Sequence, residues 1–202
     1  MAILTIKEFV LFYSFFEEYL KLYKDNKNKG NKVEAGVVAL AIVFHHLVLE
    51  NLIVYFIRSM INNTCYNNYR LRGLWDLMIA RQNFRSKIKF LENLFSYNLP
   101  SEFKELKSHL LTSNDKRNFI VHGAEIHIMK SDDGLYGESK LYKLIDNFNF
   151  EKDYKELIGF IEKFLDIMHY VSRTDLRPKY DWDKSVEDVR NKFRSVANGY
   201  VN

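Results

Sequence analysis

The sequence predicts an all-α fold: a bundle of helices carrying a small β-hairpin insert and a C-terminal helical extension. Three observations carry this. Only two prolines and eight glycines interrupt 202 residues, too few breakers for many short strands. Apolar residues recur at three- and four-residue steps through most of the chain. The balance of 47% hydrophobic and 28% charged residues is that of a globular domain, and this length suffices for one hydrophobic core. The whole chain, 1–202, reads as a single domain.

The elements follow in order. Thr5 and Glu8 form a capping box, with Thr5 as N-cap and Glu8 at N3. Phe9, Phe12, Phe16, Leu20 and Tyr23 then follow at helical spacing. Residues 25–31 are a polar, glycine-containing break. A second helix runs over about 32–62, and 62–68 is a connector. Leu74, Leu77, Met78, Phe84, Ile88, Leu91 and Leu94 mark one or two further helices up to about Tyr97. Pro100 allows a restart, and Phe103, Leu106 and Leu110 carry a helix to about Leu111. The polar run 112–115 offers several N-caps for a new helix. Gly123 either ends that helix or is tolerated within it. Ile126 and Ile128 alternate with polar residues, 131–134 reads as a turn, and 135–144 returns as a second strand. Asn147 or Asn149 caps a long helix through Phe160, Phe164, Ile167 and Tyr170. Pro178 breaks it, and 183–198 forms a last amphipathic helix.

The formal net charge is +4, a mild excess that tolerates an RNA partner without demanding one. Arg70, Arg72, Arg81, Arg85, Lys87 and Lys89 come closest to a basic cluster, although a solvated helix face explains most of them. The single cysteine, Cys65, forms no internal disulfide and no Cys-rich zinc site. A reducing cytoplasm fits, and the N-terminus has neither a basic n-region nor a cleavage site. Residues 37–57 are apolar enough to span a bilayer. His45, His46, Glu50 and Asn51 lie at their centre, however, and ionised groups there cost about 2.5–3.5 kcal/mol each. A helix buried by its neighbours or by a dimer partner explains the segment better, so no membrane is expected.

The most informative pattern is Arg117-Asn118-x-x-x-His122. Chance produces this spacing of three residue types in roughly one chain in a hundred of this length. On a regular helix Asn118 and His122 lie about 40° apart and Arg117 and His122 about 140° apart. One helix therefore does not aim both Arg117 and His122 at one phosphate without the reach of the long Arg. Two motif helices facing across a two-fold axis would supply Arg and His from both chains. Phe119 and Ile120 fall on the other side and are expected in the core.

The motif resembles that of the HEPN superfamily, in which an Arg, a polar residue, three to five further residues and a His lie near the start of a late helix. The likeness covers the helices from about 33 to 172, and its specific part is Arg117, Asn118, His122 and Gly123. It implies a HEPN-like bundle of four to five core helices over about 33–172, which usually dimerises, with 178–202 as an extension. Active members of that family are metal-independent endoribonucleases, common in toxin–antitoxin, abortive-infection and CRISPR systems. The resemblance thus implies catalytic Arg117, Asn118 and His122, no cofactor or metal, an RNA substrate, a homodimer and an antitoxin protein as partner. Its alternative is a non-catalytic binding or dimerisation module of the same fold.

The side chains suit such chemistry. RNA supplies its own 2′-hydroxyl nucleophile. A histidine titrating near neutrality moves the proton, and an arginine holds the phosphate through two hydrogen bonds. Asn118 can orient either the His or a phosphate oxygen. A third reading places a metal on His46 and Glu50, which share a helix face, but no second Glu-x-x-His completes a di-metal site, and a buried His–Glu pair is the simpler expectation. His109, His127 and His169 read as isolated and structural. No Gly-rich phosphate loop and no Gly-x-Ser-x-Gly motif is present.

Overall fold

The computed structural model describes residues 3–64, 69–94, 100–122, 126–131, 134–175 and 182–201. Their architecture is predominantly helical: α1 (Ile3–Asn26), α2 (Ala35–Thr64), α3 (Tyr69–Arg81), α4 (Phe84–Leu94), α5 (Phe103–His122), α6 (Lys140–Asp146), α7 (Phe150–Asp175) and α8 (Trp182–Val201). Between α5 and α6 the backbone forms two short antiparallel strands, β1 (Ile126–Ser131) and β2 (Gly134–Ser139), with Ile126 opposite Ser139 and Ser131 opposite Gly134.

The long apolar helix α2 is the centre. It packs along α1 and also meets α3, α4 and α5. The stretch Ala35–Ile61 is long and apolar enough to cross a membrane, but Ala41, Leu49, Leu52, Ile53 and Ile57 are fully buried among the other helices. The turn from α1 into α2 uses Gly30 at φ 54°, a left-handed conformation that costs glycine no Cβ clash.

The core is one cluster drawn from α1, α2, α3, α4, α5, α7 and α8. Aromatic rings tie its parts together: Phe16 of α1 lies 5.1 Å from Phe193 of α8, and Phe56 of α2 lies 5.4 Å from Phe164 of α7. The cluster therefore reaches beyond the stretch 33–172 expected to form the core. Phe12, Phe16, Tyr19 and Leu20 precede it, and Val186, Val189 and Phe193 follow it, all buried. The C-terminal helix is fastened rather than appended. The Tyr13 hydroxyl donates to the Val189 carbonyl (3.1 Å), and Arg194 forms a two-point pair with Glu162 of α7 (2.8 and 3.1 Å).

Several boundaries differ from the sequence reading. α1 begins at Ile3, so Thr5 lies inside the helix and is not its N-cap; helix ends are the least certain part of a sequence reading. No break occurs at 112–115: α5 is continuous from Phe103 to His122. The polar run does not cap because its central members turn inward, with Ser113 and Asn114 buried. The second strand stops at Ser139, and Lys140 starts α6. Asn149 is the cap of α7, its side-chain oxygen accepting from the Lys152 amide at 2.8 Å. Cys65, Gly123, Pro178 and the turn at 132–133 lie outside the described residues, as do the side chains of Thr5, Glu8, Arg70, Arg72 and His127.

Candidate functional site at the end of α5

The motif occupies the last two turns of α5, at the helix C-terminus and not near its start. Buried residues of α5 end at Asn114. Beyond that point the helix runs past the core: residues 115–120 are half-buried, and Val121 and His122 are exposed. Phe119 and Ile120, expected inside, are therefore only half-buried.

Arg117 and Asn118 are joined directly. The Arg117 Nη1 donates to the Asn118 side-chain oxygen at 3.0 Å, which fixes one edge of the guanidinium while its other donors stay available. His122 stands exposed one turn further on. The predicted separation of Arg117 from His122 around the helix follows from the unbroken α-helical geometry.

Beside this helix end lies a groove of about 450 Å³, lined by Lys116 and Phe119 of α5, Lys143 of α6, Asn147 and Phe148 of the following turn, and Lys152 of α7. Lys116, Asp153 and Glu156 also line a small cavity of about 30 Å³ behind it, with His45 and His109. That volume suits a single water molecule.

Behind the groove four helices meet in one polar chain. Asp153 of α7 accepts from the Tyr19 hydroxyl of α1 (2.8 Å) and lies 2.9 Å from Nδ1 of His45 on α2. His45 Nε2 lies 3.2 Å from His109 Nε2 on α5. The two rings thus meet through their nitrogens, 27° apart in plane, and one proton must bridge them, because neither two lone pairs nor two N–H groups tolerate that distance. Burial raises the Asp153 carboxyl, but the His45 and Tyr19 contacts outweigh it and hold the group ionised. Burial, with His45 and Lys116 nearby, pushes His109 down to about 4. His109 was read as isolated from sequence. Its partner is 64 residues away, a separation at which no local pattern reports a contact.

The neighbouring His46 is buried on the other side of α2. Its Nε2 lies 3.6 Å from Glu50, and Lys87 reaches the same carboxylate at 2.6 Å. Burial raises Glu50, but His46 and Lys87 prevail and hold it down at about 2. With its charge met by a lysine, Glu50 is not presented as a metal ligand, and among the described residues no group of three or more His, Cys, Asp or Glu side chains is placed to hold a metal. Of the basic residues on α3 and α4 whose side chains are described, Lys87 turns inward to Glu50 and Arg85 pairs with Asp115 at 2.9 Å.

No family model matches the chain, and no curated protein or solved structure does either.

Proposed function

We propose that the chain is a metal-independent endoribonuclease of HEPN type, acting as a cytoplasmic homodimer in which Arg117 of one copy and His122 of the other serve one scissile phosphate. The observation that supports this reading most is the arrangement at the end of α5. Arg117 is held by Asn118 and His122 is open to solvent on the same helix end, beyond the buried part of α5.

In the proposed reaction the 2′-oxygen of the RNA attacks the adjacent phosphorus and the bond to the 5′-oxygen breaks. The proton leaves the 2′-hydroxyl and a proton is delivered to the departing 5′-oxygen, His122 being the group that carries it. Arg117 meets the growing charge on the non-bridging oxygens. The products are a 2′,3′-cyclic phosphate and a 5′-hydroxyl. A role as the toxin of a toxin–antitoxin or phage-defence pair, held by an antitoxin protein, follows from the same reading.

Phe119, Ile120 and Val121 favour a second reading. An apolar run left half-buried or exposed on one helix end suits a non-catalytic dimerisation module of the same fold. RNA cleavage by the purified chain separates the two. A labelled RNA and its analogue with one 2′-deoxy sugar at the cut site are incubated with wild type and His122→Ala, in EDTA. The ribonuclease reading predicts cutting of the all-ribose strand by wild type alone. Intact RNA in every arm leaves the dimerisation module. Equal cutting of the deoxy strand contradicts attack by the 2′-hydroxyl.

A further inference from the structure

We propose that α3 is a peripheral docking face for an anionic membrane surface, a role independent of the chemistry at the end of α5. Of the residues of α3 whose exposure is described, Ile79 alone is buried. Leu74, Leu77 and Met78 are 60%, 61% and 44% exposed, half of the large apolar residues left exposed among those described; Val10, Leu40 and Val121 are the others. On a regular helix the three fall within a stripe about 100° wide, and Ile79, a member of the core cluster, lies about 140° round from Leu74. The stripe therefore faces away from the protein. Arg81 is exposed two turns beyond Leu74 and about 20° round from it, inside the same stripe.

Charge selects the occupant. The helix holds three arginines, Arg70, Arg72 and Arg81, against one acid, Asp76, and the whole chain carries +4. Two copies meeting through α3 about a two-fold axis would bring like charge against like. An anionic bilayer offers the opposite sign, and its headgroup region accepts leucine and methionine with arginine beside them. Arg85 and Lys87, the next basic residues, are left out of this charge because Asp115 and Glu50 already hold them. The contact is peripheral. With 13 residues, α3 is about 20 Å long, too short for a hydrocarbon core of about 30 Å. The one described stretch apolar enough to cross, Ala35–Ile61, supplies Leu49, Leu52, Ile53 and Ile57 to the core instead. The expectation of no membrane, drawn from the polar centre of that stretch, concerns spanning alone.

The probe is sucrose-loaded vesicles, of phosphatidylcholine alone or of equal parts phosphatidylcholine and phosphatidylglycerol, sedimented with the full-length chain over a range of lipid and salt. Wild type should pellet with the anionic vesicles, stay in solution with the neutral ones, and leave the anionic ones as salt rises. Leu74→Ser with Leu77→Ser should weaken binding about tenfold or more, because two leucine side chains then lose their transfer from water. Arg81→Gln should weaken it about fivefold, at about 1 kcal/mol per basic residue near the surface. Val10→Ser with Leu40→Ser, which removes similarly exposed apolar side chains from α1 and α2, should bind like wild type. All these positions are open to solvent, so melting temperatures should change little. Absence of binding to anionic vesicles at low salt overturns the inference. So does equal loss in the α3 and remote variants, or full binding by the leucine variant, which is charge without insertion. Self-association that depends on the two leucines, without vesicle binding, gives the face to a second copy. Leucine-dependent binding of poly-glutamate in place of vesicles gives it to an acidic protein, and either result overturns the membrane reading.

Discussion

Arg117 and Lys carry the same charge but not the same shape. The Asn118 oxygen holds one guanidinium nitrogen, and in the proposed reaction the planar fork meets two phosphate oxygens, a contact that an ammonium does not reproduce. Arg117→Lys should therefore lower the cleavage rate by about 10²–10³, the usual cost of one lost transition-state donor, with little change in thermal stability. Single-turnover cleavage and a melting curve on the same sample check both halves. The buried histidine behaves differently. His109 in the fold titrates at about 4 against an ordinary 6.5, so the unfolded chain binds the extra proton first. Its contribution to stability is complete above pH 6.5 and is lost as pH falls towards 4, by at most about 3 kcal/mol. Urea denaturation at pH 7 and pH 4.5 should show that loss in wild type and a smaller one in His109→Gln; the same loss in both would place the titration elsewhere. Arg117, Asn118 and His122 could be singled out as candidates because their chemistry and spacing lie within six residues of sequence. His45, His109 and Asp153 were not, because three helices bring them together across 64 and 108 residues.

The helices themselves were readable where a single signal set them. Of the two caps the sequence offered, Asn147 and Asn149, the second is the cap: Asn149→Ala should cost about 1 kcal/mol, measured by chemical denaturation, since the Lys152 amide then loses its acceptor. Signals with two meanings misled. Thr, Ser, Asn and Asp at 112–115 look like a helix start, because such side chains cap when nothing else binds them. In the fold Ser113 and Asn114 are buried and Ser113 faces His46 at 3.5 Å, so α5 continues and the motif falls at its end. Phe119 and Ile120 were placed by helical period alone, which gives the direction of a side chain but not whether a neighbour is there to cover it. The terminal helix α8 was visible as amphipathic, whereas its depth of contact was not. Phe193, packed on Phe16, makes it part of the core, and Phe193→Ala should cost about 3–5 kcal/mol. A cost near zero would mean that α8 folds independently of the rest.

For the molecule as a whole, an all-helical core around an apolar α2 was predictable from breaker scarcity and periodicity. What those signals do not encode is the exposed end of α5, which arises because the helix is longer than the core that supports it. That end is where a second copy is proposed to sit, bringing its Arg117 to His122 of the first. The account's central claim is this shared site, and mixing two inactive variants tests it most directly. Arg117→Ala and His122→Ala proteins are assayed on labelled RNA alone and after exchange at equal concentration, beside wild type. A mixed dimer contains one site with both an intact Arg117 and an intact His122 when these come from different chains. Random exchange should therefore restore about a quarter of wild-type cleavage, one good site in half of the dimers. A mixture as inactive as its two parents, while wild type cuts, would contradict the shared site and return Arg117 and His122 to a single chain.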